Sequence, residues 1–245
     1  MDSSSVVSLV AAVISAGTAA ATAYISRRIV LRDRRKAASE LGERYRVSLL
    51  QAAYELQARL YNIIRFHFLT TFVTHGSEAE AEYATHHTVY LIGQYLCWVE
   101  IKRREALSIG NQRRQRNINA AMWKISEAMN SGSITDPVLR VFRGNQRAIG
   151  EIMTTTISTQ SPAGRTGPRW DCIGYPAFVK VFEDDQETAR WFATLVSDMD
   201  ALAADPDKHL ARLTELQHAL VELVGLLDLA DGYATIPRSS LEVPL

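Results

Sequence analysis

Apolar positions open this chain as a continuous run and then recur at helical spacing. No charged side chain lies between Asp2 and Arg27. As a helix, residues 6–25 would span about 30 Å, the thickness of a hydrocarbon core. A surface helix in water carries charge on its outer face, and this stretch has none. Its basic flank follows the run: Arg27, Arg28, Arg32, Arg34, Arg35 and Lys36, opposed only by Asp33. A secretory signal has the reverse order. Basic residues beside a span keep their flank on the cytoplasmic side. The pattern predicts a single-pass transmembrane helix in the cell inner (plasma) membrane, N-terminus outside and C-terminal domain cytoplasmic. The competing reading is a helix packed within a bundle. Ser4, Ser8, Ser15, Thr22 and Ser26 fall along one side of the run, and Ala12, Ala16 and Ala20 form a second row. Small residues let helices approach closely in lipid. The expected partners of this segment are therefore the lipid bilayer and, by self-association, a second copy of the span.

Beyond the stem, Leu41, Tyr45, Leu49, Leu56, Leu60, Ile63 and His67 advance by threes and fours, with a second row at Leu50, Tyr54, Tyr61, Phe68 and Phe72. The spacing predicts one helix to about residue 73, with Gly42 as its point of interruption and His67 as a core histidine. Ser77 and Glu80 form a capping box for a helix ending near Ile109. Further helices are expected over residues 111–129, 138–157, 176–182 and 185–203. A last one opens at Asp205-Pro206 on the row Leu210, Leu213, Leu216, Leu220, Leu223, Leu227. "STQSPAGRTGPRW" has the composition of an exposed loop, and no strand pattern stands out. The reading is all-α: a transmembrane anchor (1–26), a basic juxtamembrane stem (27–40), a cytoplasmic bundle of about six helices (41–230) and an irregular C-terminal tail (231–245).

A formal net charge of zero hides an asymmetry. Residues 27–147 hold 20 Lys/Arg against 11 Asp/Glu, whereas residues 148–245 hold 7 against 15. The basic half suits anionic lipid, at about 1 kcal/mol per residue near the surface. Nucleic acid is not an expected partner, because the acidic half offsets the field and no recognised motif is present. Cys97 and Cys172 lack metal or disulfide spacing, which fits reduced thiols. Glu78, Glu82 and His86 share a helix face but rise too far for one ion, so no metal or other cofactor is expected. No nucleophile elbow, H-E-x-x-H, S-x-x-K or calcium loop occurs, and no catalytic residue is assigned.

Two stretches carry candidate chemistry. In "YLIGQYLCWVEIKRRE", Gly93, Cys97, Glu100 and Arg104 share one face, where a second helix could approach and Glu100 could pair with Arg104. Tyr95 and Trp98 read as core. In "LRVFRGNQRAIGEIM", Arg140, Arg143 and Arg147 recur at helical spacing beside Gln146 and Glu151, and guanidiniums so placed can grip a phosphate or carboxylate. The plainer readings are a structural ion pair in the first stretch and pairing with the acidic half in the second. The leading expectation is a membrane-anchored helical protein mediating protein interaction or assembly with an unidentified protein partner. The alternative is a tethered enzyme or ligand sensor whose ligand-binding residues are Glu100, Arg104, Arg143, Gln146, Arg147 and Glu151. A third is a membrane-damaging effector that oligomerises through its span.

These two stretches, with "RYRVSLLQAAYELQARLYNI", resemble a group of bacterial proteins that join a short N-terminal membrane segment to a helical domain. The blocks lie within residues 44–153. The resemblance implies a bacterial membrane location; no reaction or catalytic residue comes with it.

Overall fold

The computed structural model describes residues 3–105, 110–160 and 166–228, with side chains left out at 3–21, 23, 34, 35, 37–39, 159, 160 and 166–168. Helices dominate: α1 (Ser3–Phe66), α2 (Glu78–Glu105), α3 (Gln112–Asn130), α4 (Arg143–Ile152), α5 (Tyr175–Asp184), α6 (Gln186–Ala189), α7 (Ala193–Ala204) and α8 (Leu210–Leu227). A π-helical turn at Thr70–Thr74 and a 3-10 turn at Asp207–His209 complete the helical elements. Strands β1 (Thr154–Gln160) and β2 (Thr166–Cys172) form one antiparallel pair. The chain divides into two compact units, residues 1–43 and 44–245.

The first unit is helical. Tyr24, Ile25, Ile29, Val30 and Leu31 stand exposed, the first two at 58% and 56%. Arg27, Arg28, Arg32 and Lys36 are exposed as well; the side chains of Arg34 and Arg35 lie outside the described set. Among the described residues no helix is long and apolar enough to cross a membrane. The expected span, 6–25, falls almost wholly on residues whose side chains are not described. The expected interruption at Gly42 does not occur, since α1 continues through it; one glycine costs a long helix only about 1 kcal/mol.

In the second unit, the apolar rows of α1 do what their spacing predicts. Tyr45, Leu49, Leu56, Leu60 and Ile63 are buried. The helix stops short of residue 73, because His67 adopts a left-handed backbone (φ +49°) and faces solvent, not the core. The capping box opens α2: the Ser77 amide donates to Glu80 Oε2 at 2.8 Å, and the Glu80 amide donates to Ser77 Oγ at 3.4 Å. The middle of α2, from Ala84 to Ile101, is almost continuously buried. It packs against α4, α5, α7 and the hairpin, so it is the central helix of this unit. Ile118, Ala121 and Ile125 of α3 are buried, as are Leu213, Leu220 and Leu223 of α8, where these two helices pack together. Burying each large aliphatic side chain contributes about 1.5–3 kcal/mol.

The helix expected over 138–157 is much shorter. It begins at Arg143, ends at Ile152, and gives way to β1. Thr154, Thr155, Thr156 and Ile157 are β-branched, which favours the extended backbone. Thr154 pairs with Cys172 and Gln160 with Thr166, so "STQSPAGRTGPRW" is largely hairpin, not loop. Pro168 is tolerated because a two-stranded sheet has only edges.

The turn between α3 and α4 is built around an arginine from α8. Arg212, 1% exposed, donates to the carbonyls of Ala128, Ser131, Ile134 and Asp136. Asp136 meets His209 Nδ1 at 2.7 Å, and Asp198 accepts from the Leu139 amide at 2.9 Å. That amide belongs to a residue with φ +56°.

Candidate functional site

Where α4 crosses α2, small residues set the spacing. A β-carbon on Gly150 would lie 2.6 Å from the Leu96 carbonyl oxygen, and one on Gly93 would lie 3.2 Å from Met153. Cys97 seals the same contact, its thiol donating to the Met153 carbonyl at 3.3 Å. The close approach expected at Gly93 and Cys97 is therefore present, with Gly150 as its second half.

That approach brings the charged ends of both helices together. Glu100, 3% exposed, accepts from Arg103 Nε at 2.7 Å and Nη2 at 2.6 Å, and from Arg104 Nε at 2.7 Å. Burial pushes its carboxyl up, but the Arg103 and Arg104 hydrogen bonds outweigh it and hold Glu100 below the ordinary carboxylate value. Glu151 lies 3.7 Å from Arg104 and 3.9 Å from Arg103, and accepts from Arg147 Nε at 3.1 Å. Arg104 also sits over the Trp170 ring of β2, 5.1 Å from its centroid. Glu100, Arg104, Arg147 and Glu151 thus belong to one ion network.

Beside it is a cavity of about 150 Å³. Glu100, Arg103, Arg143, Gln146 and Arg147 supply its polar wall; Leu96, Val99 and Met122 supply apolar surface. Arg104 and Glu151 do not line the cavity. Gln146 is fully engaged: its Oε1 accepts from Ser126 Oγ at 2.7 Å, and its Nε2 donates to the Ser126 and Val141 carbonyls at 2.9 and 2.8 Å. It braces the cavity and keeps no donor for a ligand. Arg143 pairs with Glu127 of α3 at 2.6 Å. Arg140 leaves the row expected for it, because it precedes α4 and donates to the carbonyls of Ile134, Thr135 and Asp136.

Sequence reasoning missed three polar residues that line the cavity, Arg103, Tyr95 and Ser126. Arg103 follows Glu100 by three positions, so the same periodicity that selected Arg104 would have found it. Tyr95, read as core, is 1% exposed yet lines the cavity, and its hydroxyl has no hydrogen-bond partner among the described residues. Nothing in the local sequence marks it.

A second polar cluster is structural. Arg59 donates to Thr88 Oγ1 at 3.1 Å, reaches His87 Nδ1 at 3.0 Å and lies over Phe68, 4.1 Å from the ring centroid. Burial and the Arg59 charge lower His87, which keeps the ring neutral as an acceptor. Cys97 and Cys172 are both free thiols. The hydrogen bond to Cys97, with burial, pushes Cys172 well up and away from thiolate chemistry. Among the described residues no three His, Cys, Asp or Glu side chains are grouped to hold a metal ion. Glu82 and His86 lie 3.7 Å apart, and His86 stacks on Phe182 at 4.9 Å.

No protein family, curated protein or solved structure matches the chain.

Proposed function

We propose that this is a single-pass, membrane-tethered helical protein whose helical domain mediates interaction or assembly at the cytoplasmic surface of the bilayer. One observation carries the reading. Tyr24, Ile25, Ile29, Val30 and Leu31 are exposed on α1, at and just beyond the end of the charge-free run, with Arg27 and Arg28 between them and Arg32 next in line. Exposed to water, large apolar side chains forgo about 1.5–3 kcal/mol each of burial. A lipid interface covers them while the arginines extend their charged ends toward headgroups. The tether confines the domain to a surface and raises its effective concentration for partners or copies of itself. Fractionation of cells making the full chain tests this: detergent should release it and high salt should not. Release by salt alone, or an unchanged distribution after deletion of residues 1–26, rejects the tether.

The cavity favours a second reading, in which the domain senses a small ligand. Five of the residues lining it are charged or amide side chains drawn from two helices, on a bed of apolar ones, which is the composition of a small-molecule site. A cavity-filling Val99→Trp change should then abolish ligand-dependent shifts in melting temperature without altering membrane association.

A further inference from the structure

We propose that β1 pairs antiparallel with β1 of a second copy of this chain, about a two-fold axis through Ile157, joining two hairpins into one continuous sheet. This rests on the assembly reading above and names its partner and its surface.

The hydrogen-bond pattern comes first. The Ile173 amide donates to the Met153 carbonyl at 2.9 Å, and the register continues from Thr154 opposite Cys172 to Gln160 opposite Thr166. Along an antiparallel pair, hydrogen-bonded and non-hydrogen-bonded positions alternate. Thr155, Ile157 and Thr159 therefore spend their main-chain groups inside the hairpin. Thr154, Thr156, Ser158 and Gln160 turn theirs to the outer edge of β1, and Thr166, Pro168, Trp170 and Cys172 turn theirs to the outer edge of β2.

The two edges differ. On β2, Pro168 has no N–H to offer, and the Cys172 amide donates to Asp171 Oδ1 at 2.9 Å. Proline and charge are how proteins close an edge to further strands. On β1, no residue from 154 to 160 is proline, glycine or charged. Among the described residues, no main-chain bond from another element reaches its outer edge. Thr156, Ile157 and Ser158 stand exposed along it.

A second copy is the occupant this edge suits. At a two-fold axis a residue meets its own counterpart, so a charge there would face its like. Strand β1 has none. Centring the axis on the exposed run sets Thr156 opposite Ser158 across the axis, and such pairs exchange both main-chain bonds. It also sets Ile157 opposite its counterpart, with Cα atoms about 4.5 Å apart. Trp170 and Cys172 pack on the core from one face of the hairpin, and alternation puts Ile157 on the other. There it is 36% exposed, and its counterpart would cover it. A two-stranded hairpin is marginal alone, and added strands stabilise it.

The test uses the full chain in whichever cell fraction holds it, so its outcome does not hang on the tether. Mild oxidation should link Ile157→Cys into a covalent dimer, because opposed non-hydrogen-bonded positions lie within disulfide reach. Thr156→Cys, about 7–8 Å from its counterpart, should link at least tenfold more slowly, and the unsubstituted chain should not link at all. Two differently tagged copies made in one cell give a second readout. Co-purification should fall about tenfold when both carry Ile157→Lys, and should return when one carries Ile157→Lys and the other Ile157→Glu. Position 157 is exposed, so neither substitution should shift the melting temperature. If copies co-purify but Ile157→Lys leaves them together and Ile157→Cys does not link, they meet elsewhere: the edge is overturned and the assembly reading stands. If Thr156→Cys links and Ile157→Cys does not, the pairing described is wrong. If copies never co-purify, self-assembly falls with the edge, while the tether is judged separately by fractionation.

Discussion

Gly150 lies against the Leu96 carbonyl, and a single β-carbon there would come within 2.6 Å of backbone that cannot yield. Gly150→Ala should push α4 off α2 and cost about 1–3 kcal/mol. The control is Gly144→Ala in the same helix, where an added β-carbon meets nothing within 4 Å. It should be neutral or stabilising by up to about 1 kcal/mol. Urea denaturation of the two variants gives the comparison directly, and equal midpoints would contradict the packing described.

Asp198 supplies a pH dependence. Burial pushes its carboxyl up to about 6, against an ordinary 3.8, and the nearby Asp136 adds to this although the Leu139 amide opposes it. The folded state binds this proton more tightly than the unfolded one, so this group's penalty grows as pH rises from about 4 to about 6. Asp198→Asn keeps an acceptor for the Leu139 amide and removes the buried charge. It should raise stability by about 1–3 kcal/mol at pH 7.5, and the gain should vanish near pH 4. Melting curves across that range check both size and direction.

Glu100 has the opposite sign. Its folded value is depressed, so its contribution is present above about pH 4.5 and is lost as pH falls below its ordinary range. Glu100→Gln leaves Arg103 and Arg104 without their shared carboxylate. It should cost about 2–4 kcal/mol at pH 7 and flatten the acid limb of the stability profile.

Arg212 satisfies one carbonyl at the end of α3 and three in the turn between α3 and α4. Arg212→Met keeps the volume and removes every donor. The loss should exceed about 3 kcal/mol, and Arg212→Lys should recover only part of it, since an ammonium cannot match the planar fork. Hydrogen exchange should locate the damage at residues 128–136; exchange unchanged there would mean the turn holds itself.

Helical segments were legible because burial imposes a period. The rows beginning at Tyr45 and Leu213 point inward as their spacing requires, and the Ser77–Glu80 box is local chemistry readable from four residues. The hairpin was hidden for the opposite reason. "TTTIST" is β-branched, but it has no alternation of apolar and polar residues, so hydrophobic periodicity gave it no voice. Its propensity was there to be read. His67 failed as a core residue because the helix ends one position earlier, which periodicity alone does not register. At the site, Glu100, Arg104, Arg147 and Glu151 converge because residue spacing fixes helix faces. The engagement of Gln146 by Ser126, twenty positions away, and a Tyr95 hydroxyl with no partner among the described residues are tertiary facts with no local trace.

Helix α8 ends with its carbonyls in the hands of distant residues: Arg46 holds that of Leu227 and Arg114 that of Leu226. Arg212, in the same helix, holds the turn after α3 in return. A chain leaving the ribosome therefore exposes both arginine hooks, and an untemplated mid-chain turn, until α8 emerges. Maturation of this domain waits for α8, and a transcript truncated ahead of it yields helices with no keystone.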